Sequence, residues 1–205
     1  RKRIFEIGIV VFTLAGGLLS QAWSVEAMIG LRLLQGMGGA MVMATTNAIV
    51  VSVFPAQERG KALGISVASV YAGISCGPFI GGYLVTHFGW RWLFYLCVPL
   101  GLITFLVSRR KLRGDWADAA GEPFDLRGSL VYAAAILLLI AGASQLDQGR
   151  WAWGLAVAGV LGLLHFLHLE SRTAHPLLNV SLLRENWIFA LSNLAALLNY
   201  AATFG

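Results

Sequence analysis

One arginine interrupts a long apolar stretch of the sequence. Arg32 lies a few residues inside the block that runs from Ala27 to Val53, and Gln35 follows it almost one helical turn later. A guanidinium in hydrocarbon costs at least about 2.5–3.5 kcal/mol on insertion scales, so it needs a partner or a wet cavity. Two interpretations stay open: Arg32 reaches the membrane interface from a helix end, or it faces a polar pathway through the membrane.

Small residues surround and follow this arginine along the same helix. Four of them are predicted to let a neighbouring helix approach closely: Gly36, Gly38, Gly39 and Ala40. Their spacing places part of this set below the charge on one side of a helix. The expectation is a packing stripe that holds the arginine against another span.

A second set of glycines surrounds one proline. Gly73, Gly77 and Gly81 recur every four residues and share one side of a helix, with Gly82 beside them. Overlapping Gly-x-x-x-Gly steps allow two helices to meet backbone to backbone in lipid. Pro78 removes a backbone donor in the middle of the span, which favours a bend. The pattern predicts a helix that bends and slides against a partner.

The sequence gives little support for a metal site, a disulfide framework or a complete proton relay. His165 and His168 have helical spacing but lack an obvious third ligand, so no metal site is expected. Cys76 and Cys97 fall inside apolar blocks and are read as small core residues without a disulfide framework. No Asp or Glu lies deep in an apolar block, so these residues cannot complete a proton relay by themselves.

The elements that carry these residues are membrane spans. Hydrophobic residues make up 58% of the 205-residue chain and charged residues only 12%, against about 25% charged in soluble domains. The apolar blocks are 17 to 27 residues long, and about 17–25 residues are enough to cross a bilayer as a helix. Seven such blocks are predicted, at residues 4–22, 27–53, 62–85, 92–108, 126–146, 153–169 and 187–205.

Positive charge is distributed unevenly between the connections. Alternate connections hold twelve of the fifteen Lys and Arg residues, and the other connections hold only Arg91 and Arg150. Basic residues favour the cytoplasmic side of a membrane, so the chain's N-terminus and every second connection are predicted to be cytoplasmic. The net charge of +5 is therefore read as topology, and nucleic acid is not an expected partner. The triplet Arg1, Lys2 and Arg3 is such a marker.

The glycine–proline stretch resembles a known motif. Gly73-x-x-x-Gly77-Pro78-x-x-Gly81-Gly82 is similar to the antiporter motif in the fifth helix of the major facilitator superfamily. The branch that it resembles comprises multidrug efflux transporters, drug:proton antiporters with fourteen spans. The segment from Arg32 to Ala40 resembles the fourth-helix motif of the same superfamily.

Further segments extend the resemblance to the whole chain. Arg1-Lys2-Arg3 looks like the end of the family's cytoplasmic loop motif, although its upstream Gly and Asp are missing from the sequence. Trp90-Arg91-Trp92-x-Phe94-x-x-x-x-Pro99-x-Gly101 resembles the start of the sixth helix. The corresponding pattern commonly carries Asn where this chain has Cys97, which weakens any substrate contact at that position.

The resemblance implies an all-α membrane protein with the major facilitator bundle. The seven spans would be the third to the ninth of fourteen, and the chain is read as an internal piece of a longer protein. Residues 1–108 would belong to the N-terminal six-helix half, 109–125 to a cytoplasmic linker and 126–170 to two extra linking helices. Residues 171–205 would form a cytoplasmic connection, part of it a short helix, and the start of the C-terminal half.

The resemblance also implies function. In the family the arginine is thought to assist proton coupling by biasing a nearby membrane carboxylate, which assigns that role to Arg32 with Gln35 and places the carboxylate upstream of Arg1. The glycine–proline motif would serve conformational change and antiport, and Arg1, Lys2 and Arg3 would gate the cytoplasmic loop.

The expected activity is proton-coupled export of hydrophobic or cationic small molecules across the inner (cell) membrane by alternating access. The proton gradient supplies the energy, and no cofactor is expected. Whether periplasmic or outer-membrane partners take part stays open. The alternative is a proton-coupled metabolite carrier of the same superfamily. A seven-helix receptor or an intramembrane enzyme is a remote alternative, because the sequence lacks a lysine within a span and a His-Glu-x-x-His motif.

Overall fold

The computed structural model describes residues 1–112, 125–173 and 176–204, and every regular element in these ranges is helical. Most of the predicted cytoplasmic linker at 109–125 lies outside the described residues, as do His175 and Gly205. Eight α-helices are present: α1 (Lys2–Leu19), α2 (Val25–Val53), α3 (Arg59–Phe88), α4 (Arg91–Lys111), α5 (Leu126–Ala143), α6 (Arg150–Glu170), α7 (Val180–Glu185) and α8 (Trp187–Phe204).

The predicted fold class is confirmed. Each of the seven predicted apolar blocks forms one helix, and five of these, α2 to α6, are long and apolar enough to cross a membrane. The additional helix α7 lies in the stretch where a short helix was expected. Large apolar side chains are exposed along all the long helices, as expected for helices that face lipid or further helices.

Polar caps, which hydropathy does not register, define several helix ends. The Ser24 hydroxyl accepts a hydrogen bond from the Ala27 backbone N–H at 3.1 Å and starts α2 before the predicted boundary. The Asp125 carboxylate accepts from the Gly128 N–H at 2.9 Å and caps α5 in the same way. Gly89 has a φ of 87° and ends α3 two residues before α4 begins at Arg91.

The chain divides into two compact units, Arg1–Asp118 and Ala119–Gly205. In the first unit α1 packs against both α2 and α4, whereas α3 makes few contacts with α2 and α4 and contributes no buried residue. In the second unit α5 and α6 form a closely packed antiparallel pair, and α7 leads into α8.

Glycine makes the contact between α1 and α2. A Cβ added at Gly38 would lie 2.6 Å from the Phe12 nitrogen and 2.8 Å from the Gly8 oxygen, both backbone atoms of α1. A Cβ added at Gly8 would in turn lie 2.8 Å from the Met41 Cβ. The two helices can approach this closely only because Gly8 and Gly38 have no side chains.

The contact between α1 and α4 uses one glycine from α4. A Cβ added at Gly101 would collide with the Thr13 side chain, whose Cβ and Cγ2 would both lie at 2.9 Å. Closer to the C-terminal end of α1, Gly17 faces Val98 of α4. These pairs fix an antiparallel register in which residue numbers rise along α1 as they fall along α4.

The α5–α6 pair is also closed by glycine. A Cβ added at Gly159 would lie 2.5 Å from the Leu139 nitrogen, and one added at Gly142 would lie 2.7 Å from the Ala152 oxygen. Ala152 is completely buried in this contact. These helices coincide with the segment predicted as two extra linking helices, an assignment that remains a prediction.

Candidate membrane arginine site

Arg32 occupies a defined position between two helices of the first unit. Its Nη1 donates a hydrogen bond to the Gln35 Oε1 at 3.1 Å, and its guanidinium carbon lies 4.8 Å from the centre of the Phe94 ring on α4. Gln35 and Phe94 are 5% and 7% exposed, although much of the Arg32 residue itself is open. The charged group is therefore held by an amide and an aromatic face.

Gly16 of α1 makes room for this arrangement. A Cβ added there would lie 3.4 Å from the Gln35 Nε2, 3.3 Å from the Cys97 Cβ and 3.9 Å from the Phe94 oxygen. Residues from α2 and α4 thus meet at Gly16, where α1 has no side chain. Both helices pack on α1, and the Arg32–Phe94 contact joins them directly.

The small residues that follow Arg32 have different environments. Gly38 is buried against α1, and a Cβ on Gly39 would meet the Phe12 ring at 3.6 Å. A Cβ on Gly36 would meet no atom of the first unit within 4 Å, and Ala40 is exposed. Within this unit the close contact is therefore made by Gly38 and Gly39, whereas Gly36 and Ala40, the members of the set on the same side of the helix as Arg32, are open.

The glycine–proline motif lies on an open surface of α3. Within the first unit, a Cβ at Gly73, Gly77 or Gly82 would meet no atom within 4 Å, and one at Gly81 would meet only the Leu93 Cδ2, at 3.5 Å. Pro78 lies inside a helix that is continuous from Arg59 to Phe88. The structure thus presents the motif's glycine-rich surface without bringing it to Arg32.

The basic triplet connects the first turn of α1 to other helix ends. The Arg1 Nη1 donates to the Ser52 Oγ at 2.7 Å near the end of α2. The Lys2 Nζ donates to the Leu112 carbonyl at 2.6 Å just after α4, and lies 3.7 Å from the Glu6 carboxylate. Arg3 is exposed. Two of the three residues therefore tie helix ends together.

Three residues at these contacts were not singled out from the sequence, namely Gly8, Thr13 and Gly16. Gly101 and Phe94 belong to the segment that resembles the start of the sixth helix, but their contacts with Thr13 and Arg32 were not predicted. Spacing along one helix does not show which arginine the Phe94 ring meets. The described residues contain no group of three or more His, Cys, Asp or Glu side chains placed to hold a metal ion.

Residues 1–204 match the sequence profile of the Major Facilitator Superfamily. The chain belongs to this superfamily. The recognition made from the glycine–proline and arginine motifs is thereby confirmed at the family level, and a family of membrane transporters favours a transporter over an enzyme. This member of the superfamily is a multi-pass membrane protein.

Curated relatives of this superfamily member include two resistance proteins and a riboflavin transporter. It is 32% identical to the riboflavin transporter RibZ of Clostridioides difficile (strain 630), over 83% of this chain and 36% of that protein. It is 31% identical to the multidrug resistance protein Stp of Mycobacterium tuberculosis (strain ATCC 25618 / H37Rv), over 90% of this chain and 35% of that protein. The tetracenomycin C resistance and export protein of Streptomyces glaucescens is 30% identical over the same shares, 90% and 35%.

The coverage of each relative also shows how much of its length this chain matches. It spans little more than a third of the length of each of the three relatives. The arrangement around Arg32 therefore corresponds to one part of each of these relatives.

Proposed function

We propose that the full-length protein containing this chain is a secondary transporter that exports drugs or other amphipathic small molecules in exchange for protons by alternating access. The observation that carries the proposal is Arg32, whose guanidinium bridges α2 and α4 beside the buried Gln35. A charge inside a span needs a reason to be there, and ion or proton movement is the usual one.

The partners of Arg32 in this chain are both neutral. Gln35 accepts one hydrogen bond from the guanidinium and Phe94 contacts it, so neither cancels its charge, and among the described residues no carboxylate pairs with it. A carboxylate brought close to a guanidinium is stabilised in its ionised form, so the pair releases a proton as it forms. We expect the coupling carboxylate to lie upstream of Arg1, as the family resemblance implies.

The open glycine surface of α3 supports the conformational part of the proposal. Gly73 and Gly77 are spaced for close approach by a second helix, and the first unit leaves that surface uncovered. Alternating access in such transporters rocks one helix bundle against another. A glycine surface suits this motion, because backbones can slide past each other without side chains interlocking.

The relatives support the substrate class. Two of the three proteins named above are a multidrug resistance protein and an antibiotic resistance and export protein. The relative described as a riboflavin transporter favours a second candidate, a carrier for an aromatic metabolite. The two candidates differ in substrate, whereas Arg32 has the same role in both.

We further propose that the protein lies in the cell membrane with Arg1 on the cytoplasmic side. The uneven distribution of Lys and Arg over the connections supports this orientation.

The test is transport by the full-length protein in everted membrane vesicles. We would follow uptake of a lipophilic cationic dye and of riboflavin together with the internal pH. Arg32→Ala should abolish coupled movement, with a loss of at least about 100-fold, because the group that biases the carboxylate is gone. Arg32→Lys should restore only part of it, since an ammonium cannot reproduce the planar contact with Phe94.

The matched control is Arg150→Ala, which removes an exposed arginine at the start of α6 and should leave transport unchanged. Coupled dye transport that persists in Arg32→Ala would contradict the proposal for the arginine. Proton-coupled movement of riboflavin without movement of the dye would favour the metabolite carrier.

A further inference from the structure

The Arg32 guanidinium rests on an aromatic ring where an ion pair would be expected. The Phe94 ring centre lies 4.8 Å from its central carbon, within the range of a cation–π interaction. Phe94 is 7% exposed, so the ring face is screened from surrounding solvent or lipid. The ring side of this contact is therefore buried, whereas much of Arg32 stays open.

The Phe94 ring is itself held in place. The Trp90 ring packs against it edge to face, with centres 5.9 Å apart at 86°. The Arg91 guanidinium covers Trp90 at 4.5 Å and donates to the Ala22 carbonyl at 3.4 Å, at the end of the α1–α2 turn. Two arginine–aromatic pairs, joined edge to face through Trp90 and Phe94, thus connect the α1–α2 turn to Arg32.

The ring face and a carboxylate would act differently on Arg32. A ring does not titrate and carries no net charge, so it orients the guanidinium without neutralising it. An approaching carboxylate binds a guanidinium more strongly, through charge and bidentate hydrogen bonds. Arg32 on Phe94 is therefore oriented and still free to exchange its partner.

We propose that Phe94 is a positioning residue for transport: its ring holds Arg32 beside Gln35 in the state in which no carboxylate is paired with the arginine. This inference rests on the function proposed above. The edge-to-face contact with Trp90 supports the Phe94 ring. The Trp90–Phe94 segment therefore has a second role besides starting a helix. Phe94 acts through Arg32 and does not touch the substrate.

The test changes the charge of the ring face while keeping its shape. A ring-trifluorinated phenylalanine would be incorporated at position 94 of the full-length protein, and Phe94→Leu and Phe94→Tyr would be made alongside. The expected result is a roughly 5- to 30-fold loss of the maximal rate of coupled transport for the fluorinated protein and for Phe94→Leu, with little change in KM for the substrate. Phe94→Tyr, which keeps the ring face, should retain most of the rate.

The matched control is the same fluorinated residue at position 166. Phe166 is 5% exposed, as buried as Phe94, but its described ring neighbour is Tyr132 at 5.1 Å and not a cation. Fluorination there should leave the rate unchanged. Melting temperatures in detergent complete the design, because fluorination at 94 should lower the melting temperature in the wild-type background and not in Arg32→Ala.

Each outcome separates the inference from the proposed function. Coupled transport that is normal after fluorination at 94, or an equal fall in melting temperature in both backgrounds, would overturn the role of Phe94 and leave the proposed function standing. A wild-type protein without proton-coupled movement of either compound would defeat the proposed function. In that case coupling in the melting temperatures alone would identify a structural contact and overturn the positioning role as well.

Discussion

At the scale of single residues, two charged groups of the described part of the chain have no ion-pair partner there. Arg32 contacts an amide and a ring. Glu170 at the end of α6 is 2% exposed, and its Oε2 accepts a hydrogen bond from the Leu178 N–H at 2.9 Å. The other oxygen of Glu170, Oε1, is buried without a hydrogen-bond partner. A buried carboxylate oxygen in this state costs free energy.

The geometry around Glu170 predicts that one substitution stabilises the protein. A Cβ added at Gly128 would lie 2.5 Å from the Glu170 Oε1 and would also meet the Asp125 carboxylate, so two acidic oxygens crowd one point. Glu170→Gln keeps an acceptor for Leu178, removes one charge and offers an amide donor to Asp125. We expect unfolding in detergent to become about 1 kcal/mol less favourable, measured as a higher melting temperature.

Two further variants test this explanation. Glu170→Ala leaves the Leu178 N–H without its acceptor and should lower the unfolding free energy by about 1–3 kcal/mol. Glu185→Gln, at an exposed position in α7, should have no effect. A fall in melting temperature for Glu170→Gln equal to that for Glu170→Ala would show that the negative charge itself stabilises the site.

At the scale of elements, helix identity could be read from the sequence more easily than helix contacts. Apolar length alone identifies every long helix, because a chain in lipid must satisfy its backbone hydrogen bonds within each span. The ends differ from the prediction where polar groups act, as at Ser24 before α2. The helix α4 continues three residues past its predicted end to Lys111, because basic residues are favourable in a last helical turn.

The contacts between two helices depend on which residues of each helix face the other, and the sequence of a single span does not show this. The sequence predicted helix packing for both Gly36 and Gly38, as members of one set of small residues. Only Gly38 meets α1, because the two positions lie on different sides of α2. Gly8 belongs to no motif, and Gly101 is the last residue of the segment that resembles the start of the sixth helix. The contacts of both glycines with other helices were missed for the same reason.

This difference gives a matched pair of substitutions. Gly38→Ala would drive a methyl group into the Phe12 and Gly8 backbone, which cannot move aside as a side chain can. We expect it to lower the unfolding free energy by about 1–3 kcal/mol through overpacking. Gly36→Ala places the same methyl group in open space within the unit and should be close to neutral or slightly stabilising.

The measurement is the melting temperature and the yield of folded full-length protein in detergent. Equal effects of the two alanines would mean that α2 packs in a different register, or that Gly36 meets a further helix of the full-length protein.

At the scale of the whole molecule, the family could be recognised from short motifs, whereas the arrangement of Arg32 could not. Motifs record which residues occur together along one helix. The Arg32–Phe94 contact joins residues on α2 and α4, and Gly16 on a third helix makes space for it. Such a site follows from how α2 and α4 pack on α1, and hydropathy contains nothing about that packing.

Orientation in the membrane is the whole-molecule property that the sequence predicts most directly. Connections on the predicted cytoplasmic side hold twelve Lys and Arg residues and those on the other side two, an imbalance that strongly favours one orientation. In full-length protein with Cys76 and Cys97 replaced by serine, Glu58→Cys in the α2–α3 connection should react with a membrane-impermeant maleimide only after permeabilisation. Gln148→Cys, between α5 and α6, should react in intact cells, because α3, α4 and α5 carry the chain across the membrane three times between the two positions. The reverse labelling pattern would invert the topology, and labelling of both cysteines in intact cells would mean that one of these three helices does not span the membrane.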